Sequence, residues 1–405
     1  MIRLSTSWMY QQSLTTMLDA QAAVSASQNA VSSGKRINQA SDDPAGAMQV
    51  VLLDHALANN AQYSSNIDAA NARLSTESNT LNTFASLLNQ ARSIAVQGIN
   101  GVLSSSDRQD MATQLGQIRE QMVQLANTTD VNGNALFAGT SATATPFVVQ
   151  PDGSVSYAGN TDNQLTTIGN GLRLPNSDQG SGVFMDIPAG NGSFVASAAA
   201  GNTGSLLVGA NSVTDATAWN AAIAAGPVNY KISFDGAGNW TATDLNNGNA
   251  VVGSGTYQGS GNISFNGLTM ALTGNPAAGD SVSVQSGQKQ DVFTTMANLI
   301  GALQNNGLSD TARSNALSSQ LAGVDRAQDS VLGTQTAVGS RMNELTQQQS
   351  NYSTLTLGYQ TTLSGVQDTD MASAITKLML QSTALQASQQ TFVKVQGMTL
   401  FNYLK

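Results

Sequence analysis

The chain of 405 residues has no cysteine and a single histidine, His55. Without thiols there is no disulfide framework, no thiolate metal centre and no cysteine nucleophile. A lone histidine has no companions for a metal site or a histidine-based catalytic set, so His55 reads as a helix-surface residue. Charge is also scarce, at 10% of residues, against about 25% in ordinary soluble proteins. Asn, Gln, Ser, Thr, Ala and Gly supply the polarity instead, and such small neutral groups cost less to desolvate than charges. Much of this surface is therefore expected to meet protein rather than water. Lys and Arg total 16 against 25 Asp and Glu, a formal net charge of −9. With no basic cluster, neither nucleic acid nor an anionic membrane is an expected partner. No run reaches the ~18 apolar residues of a membrane span. The first residues, Met1 to Trp8, lack an apolar h-region and a small-residue cleavage site, so any export is expected to proceed without a cleaved signal peptide.

What is present is a heptad. Leu317, Val324, Val331, Val338, Leu345, Tyr352, Tyr359 and Val366 recur at every seventh position without a break. Leu321, Met342 and Leu363 broaden the same stripe. A seven-residue repeat of this length keeps one apolar seam along a slightly supercoiled helix, which cannot bury that seam alone. Partner helices are readable upstream. Pro44, preceded by Asp42 and Asp43, marks a helix start, and the helix that follows carries Leu53, Asn60, Ile67, Leu74, Leu81, Leu88 and Ala95 at sevens to about Gly98. Asn60 is the one polar intruder, a device that fixes register. Ser106–Asp107 opens a third helix through Leu125, and Asp130 to Gly133 reads as a turn. Past the middle of the chain, Val292, Met296, Leu299 and Leu303 outline a short helix before the long one. For residues 53–125 and 291–366 the stripes predict an intramolecular bundle core.

Both chain ends carry a further stripe. Tyr10, Met17, Val24 and Val31 precede Gly34, a good residue for a helix C-terminus. Met371, Leu378, Leu385 and Phe392 lead toward Leu400 and Phe401. These stripes lack the charge that keeps a free helix soluble. The two ends are expected to lie together and to pair with each other or with copies of themselves, packing between molecules being the main expectation. Between the helical halves the character changes. Six of the seven prolines and 23 of the 38 glycines lie in 140–289, and period two replaces period seven there. Tyr230, Ile232 and Phe234 alternate, and Asn266–Gly267 between two apolar runs signals a type I′ hairpin. Val282 and Val284 suggest another strand, while 189–212 reads as loop or weak strand.

The fold expected is α+β: a long antiparallel coiled-coil bundle built from both chain ends, with an inserted β-rich domain. Its segments are 1–43 (assembly helix and loop), 44–140 (first half of the helical rod), 141–287 (β-rich outer domain), 288–366 (second half of the rod) and 367–405 (assembly helix). No catalytic, cofactor or metal site is expected. Asp42–Asp43 and Asp368 with Asp370 read as helix caps rather than paired catalytic carboxylates. Gly133 and Gly139 have the wrong spacing for a phosphate loop, and Gly253–Ser–Gly255 lacks the strand–turn–helix setting of a nucleophile elbow.

Three stretches carry a resemblance. Ser33–Gly34–Lys35–Arg36–Ile37–Asn38 with Ser41–Asp42–Asp43–Pro44–Ala45 resembles the N-terminal signature of flagellins and the hook–filament junction proteins of bacterial flagella. Asn132 to Gly139, with Gly133, Phe137 and Gly139, resembles the turn after the third helix in the junction branch. The end, from Leu385 through Phe392 to Leu404, is closer to the junction proteins than to flagellin. The resemblance covers about 1–140 and 288–405, and the β-rich module 141–287 matches no family that can be named from its residues. It implies a structural subunit between hook and filament, in a closed ring of about eleven copies. It implies four partners: copies of itself, the first hook-associated protein, flagellin and a flagellar export chaperone that guards the C-terminal helix. It also implies export without a cleaved signal and an extracellular place in the flagellum, polymerising through terminal helices that order on assembly. Two alternatives remain at this point: a bulk filament flagellin, and an adhesin using Trp219, Trp240 and Tyr257 of the module to stack on sugars, although core packing is the stronger reading of those three residues.

Overall fold

The computed structural model describes residues 6–100, 103–141 and 145–397. Among these residues the α-helices are α1 (Thr6–Ser33), α2 (Pro44–Asn100), α3 (Ser105–Ala126), α4 (Ala216–Ile223), α5 (Val292–Gln304), α6 (Asp310–Gln367) and α7 (Met371–Gly397). The chain divides into two units. A central unit holds residues 66–346, and a terminal unit joins residues 1–65 to 347–405. Each is described on its own.

The central unit is built on the paired seams of α2 and α6. Ile67, Leu74, Leu81, Leu88 and Ala95 are buried, as are Leu317, Val324, Val331, Val338 and Leu345. Arg92 reaches Asp325 at 2.8 Å and Gln335 donates to Asn82 at 2.8 Å. Partner numbers fall as the first numbers rise, so the two helices run antiparallel. Helices α3 and α5 pack alongside in the same sense. Arg119 donates to the Phe293 carbonyl at 3.1 Å, and Arg108 donates to Asn306 at 2.8 Å. The start of α3 is a capping box in which Ser104 and Asp107 satisfy each other's backbone N–H groups.

Two hairpins follow, β1 (Phe147–Val149) with β2 (Val155–Tyr157) and β3 (Leu165–Gly169) with β4 (Leu172–Pro175). Phe184, in a π-helical turn at Ser181–Met185, is the hub of an aromatic cluster. Its ring lies 4.6 Å from Phe84 of α2, 5.0 Å from Phe137 and 5.6 Å from Phe147 of β1. The remaining strands are β5 (Phe194–Ala198), β6 (Leu207–Val213), β7 (Asn229–Phe234), β8 (Asn239–Asp244), β9 (Ala250–Thr256), β10 (Ser260–Phe265), β11 (Leu268–Thr273) and β12 (Ser281–Ser286). They form an antiparallel sheet in the order β5-β12-β7-β8-β9 and a second in the order β10-β11-β6. Alternate residues of both sheets share one core. Tyr230, Ile232, Phe234, Val282 and Val284 come from the larger sheet, and Ile263, Leu268, Met270 and Leu272 from the smaller. Asn266 and Gly267 take φ of 45° and 79°, the left-handed pair that a type I′ turn requires.

Residues 189–212 divide, as expected, between loop and short strand: β5 and most of β6 lie there, and the rest is turn and loop. Their Ala, Gly and Ser residues have little strand preference of their own, and pairing with β12 and β11 holds them extended. Trp219, Trp240 and Tyr257 are core residues, each 5–6% exposed, as the core-packing reading expects, and the sugar-stacking alternative is left without exposed rings. Trp219 sits on α4, a helix absent from the sequence reading, whose start is capped by Asp215.

Candidate assembly interface

The terminal unit begins with α1, which runs beside α7. Tyr10 stacks near Phe392 with ring centroids 5.2 Å apart, and Ser27 donates its hydroxyl to Gln381. A backbone bridge between Lys35 and Asp368 closes the far end of the pair, which is therefore antiparallel. Of the two pairings open to the terminal stripes, with each other or with further copies, the first is present here: the stripes face and cover one another in an antiparallel pair.

That cover is partial. Met17, Val24, Val31, Leu378, Leu385 and Phe392 are half-buried, while Tyr10 and Met371 remain about 40% exposed. Trp8, Leu18, Met379, Leu380 and Val393 are more than half exposed, with Leu380 at 68%. Leu400 and Phe401 lie outside the described residues. The long stripe of α6 fades in the same unit. Tyr352 is buried against Tyr63, but Tyr359 and Val366 are only half-buried, as is Leu53 on α2. The bundle-core expectation for 53–125 and 291–366 therefore holds only in part at those three positions, which stay half-buried. Among the described residues of the terminal unit, only Ile37, Val50, Tyr352 and Ala374 are buried apolar side chains, while thirteen large apolar side chains are exposed. An excess of exposed over buried apolar surface is the mark of an unfinished interface.

The two connections of the unit are stitched together. Gly34 ends α1 with φ of 71°, and its N–H donates to the Ala30 carbonyl at 3.0 Å. Arg36 N–H donates to the Gln367 carbonyl at 2.6 Å, and its guanidinium donates to the Val366 carbonyl at 2.8 Å and to Asp43 at 3.3 Å. Asp42 accepts the N–H groups of Asn38 and Gln39 at 3.0 and 2.9 Å, folding the loop onto itself. Asp43 caps α2 at Pro44 and accepts Gly46 N–H at 2.9 Å. That bond first, and then the Arg36 guanidinium, hold its carboxyl below the usual range. Asp370 caps α7 through Ala372 N–H at 3.0 Å. Asp368 does not cap α7 as expected; it accepts the Ser364 hydroxyl at 2.6 Å and so closes α6.

The other motif residues sit in the central unit and form a separate fastening. Asp130 accepts the N–H groups of Asn132 and Asn134, both at 2.9 Å, and pairs with Arg73 of α2. Arg73 also donates to the Ala135 carbonyl at 3.0 Å. Gly133 and Gly139 have φ of 81° and 67°. A Cβ at Gly139 would collide with Asn160, so only glycine fits. Burial pulls the Asp130 pKa up, but the Asn134 and Asn132 amides and the Arg73 charge outweigh it and hold the carboxyl low. Sequence reasoning missed Arg73, Ser27, Gln367 and Gln381. Nothing local marks them, because each acts on a partner tens or hundreds of residues away.

The terminal unit has six Lys and Arg against six Asp, so its formal charge is zero and the whole −9 belongs to residues 66–346. An open cleft of about 870 Å³ lies beside α1 and α7, with Ala22, Ala26, Ala30 and Ala374 in its wall. Among the described residues no helix is long and apolar enough to cross a membrane.

Helical chain ends around an inserted β module define a flagellin-type chain, and the comparisons agree. Residues 4–142 match the family described as the bacterial flagellin N-terminal helical region. Residues 197–286 match the D2-like domain of flagellar hook-associated protein 1, which gives the module a relative that its residues alone did not suggest. Flagellar hook-associated protein 3 of Salmonella typhimurium is 26% identical over 99% of both chains. The crystal structure of Xanthomonas campestris FlgL is 30% identical, covers 77% of this chain and 99% of its own, and superposes with a TM-score of 0.70. That of the flagellar junction protein FlgL from Legionella pneumophila is 27% identical over 78% of this chain, with a TM-score of 0.67. The chain belongs to the FlgL family, the flagellar hook-associated proteins 3.

Proposed function

We propose that this chain is a structural subunit of the bacterial flagellum at the junction of hook and filament, polymerising through α1 and α7. One observation carries the reading: a terminal unit with four buried apolar side chains and thirteen large exposed ones. Holding each residue of a helix in place costs about 1–2 kcal/mol of backbone entropy, and each large apolar side chain taken out of water returns roughly 1.5–3 kcal/mol. Neighbouring copies supply the missing cover, and the zero net charge of this unit lets many copies approach without mutual repulsion. The assembly residues are Tyr10, Met17, Val24, Val31, Met371, Leu378, Leu385 and Phe392, together with Leu400 and Phe401. The cleft beside α1 and α7 receives the small-residue face of a neighbouring helix.

The remaining partners are the first hook-associated protein, flagellin and an export chaperone, in a closed ring of about eleven copies outside the cell. Segments 1–43 and 367–405 assemble, 44–140 and 288–366 form the rod, and 141–287 faces outward. Against a bulk flagellin stands the extent of the matches: the flagellin description covers 4–142, whereas the hook-associated relative aligns over 99% of the chain.

The test is a chain ending at Thr369, mixed with hook ends and flagellin and viewed by negative-stain microscopy. Loss of incorporation, with the β-sheet circular dichroism of the central unit retained, is the expected result. Normal incorporation without α7 would overturn the reading. Copies per filament that rise with filament length would instead identify a filament flagellin.

A further inference from the structure

Glu77 of α2 is completely buried in the central unit. Its Oε1 accepts the backbone N–H of Asp178 at 3.1 Å, and its Oε2 has no hydrogen-bond partner. Asp178 lies in the segment after β4 and pairs with the guanidinium of Arg341 on α6. Arg341 also donates to the Pro175 carbonyl at 3.4 Å. The segment 175–179 is thereby held to α2 through one carboxyl group and to α6 through one ion pair.

The charges do not balance if every group is ionised. Asp178 and Arg341 are the charged groups that face Glu77, and they already neutralise each other. Arg73, one turn earlier on α2, is taken by Asp130. An ionised Glu77 would be a buried charge without a counter-ion, which a protein interior penalises by several kcal/mol. The segment also offers oxygens that lack donors: Asn176 Oδ1, Ser177 Oγ and Gln179 Oε1 are buried without partners. A neutral carboxylic acid carries one O–H that such a site can accept, and a carboxylate carries none. Burial first, and then the Asp178 charge, push the Glu77 pKa up to about 8.

We propose that Glu77 is a proton-operated latch. As the neutral acid it gives its O–H to the 176–179 segment and fastens that segment to α2. When the proton passes to a base in solution, the carboxylate repels Asp178 and the segment comes free. The folded chain holds a proton that the unfolded chain releases above its ordinary glutamate value, so folding takes up about 0.9 proton at neutral pH. The latch stabilises the fold fully below about pH 4.5, and its contribution is lost as pH rises through about 8.

Thermal unfolding of the full chain and of Glu77→Gln, followed between about pH 5 and 9.5, tests the latch. The amide of Gln is neutral and keeps a donor at every pH. The wild-type melting temperature should fall relative to Glu77→Gln across this range, most steeply between about pH 5.5 and 7, and level off above about pH 8. Parallel profiles would overturn the proposal. Should the variant fail to fold, infrared spectroscopy of the wild type with isotope-labelled glutamate decides. The chain has three glutamates, and Glu120 and Glu344 are exposed. A protonated-carboxyl band at about pH 6 that disappears by about pH 9.5 is expected, and its absence at the lower pH would refute the latch.

Discussion

Arg36 gives its backbone N–H to the carbonyl of Gln367 at 2.6 Å, and Thr369 returns an N–H to the carbonyl of Gly34 at 2.9 Å. This reciprocal pair joins two turns more than 300 residues apart in the chain. It sets where α1 and α7 leave the bundle, so the assembly helices inherit their starting geometry from the 34–43 loop. The N-terminal motif is therefore a joint, and its glycines and aspartates can be tested as parts of one.

Gly34 has φ of 71° and open space around a prospective Cβ. Gly34→Val should cost about 1–2 kcal/mol through backbone strain alone. Gly34→Asn, which tolerates the left-handed region, should cost only a fraction of that. Equal urea-unfolding midpoints for the two variants would contradict this account.

Gly46 lies inside α2, where helix propensity alone predicts that alanine stabilises by about 1 kcal/mol. Packing argues the opposite. A Cβ there would come 2.5 Å from Ile37 Cδ1 and 2.6 Å from Asp43 Oδ2, the oxygen that pairs with Arg36. Overpacking costs typically 1–3 kcal/mol, so after the propensity gain of about 1 kcal/mol Gly46→Ala should be net destabilising by up to about 2 kcal/mol. Amide exchange at 34–47 would report it, as faster exchange confined to this joint.

Arg73 and Asp130 form a nearly buried pair. Arg73→Met should cost about 3–5 kcal/mol, because it strands the carboxylate. Adding Asp130→Asn should recover part of the loss. The pair also sets an acid limb. Asp130 and Asp43 titrate below their ordinary value in the folded chain, so their stabilisation is present above about pH 3.8 and is lost as pH falls through the lowered values. The double variant should show a shallower acid loss than wild type in melts from pH 5 downward.

Leu380 is the most exposed large apolar side chain of α7 among the described residues. Leu380→Glu should change monomer stability by no more than about 0.5 kcal/mol. In an assembled particle the same substitution would bury an unpaired charge. Sedimentation of the variant with hook ends should show an intact monomer that no longer joins. Unimpaired joining would remove Leu380 from the interface.

Periodicity and composition by themselves determined the helices of the two helical halves (but not α4), the seams at Leu74 and Val331, the caps at Asp43 and Asp370, and the change to strands after residue 140. Those features depend on neighbours within a turn or a pleat, and the local chain encodes them. Tertiary structure decided what covers each seam. A heptad says which face is apolar and nothing about its partner, so the half-buried state of Tyr359 and Val366 and the pairing of Tyr10 with Phe392 could not be read in advance. The strand at 194–198 exists because β12 lies beside it. Glu77 looks like any polar helix residue until the 176–179 segment closes over it, since burial and the company of Asp178 and Arg341 are properties of three distant segments brought together.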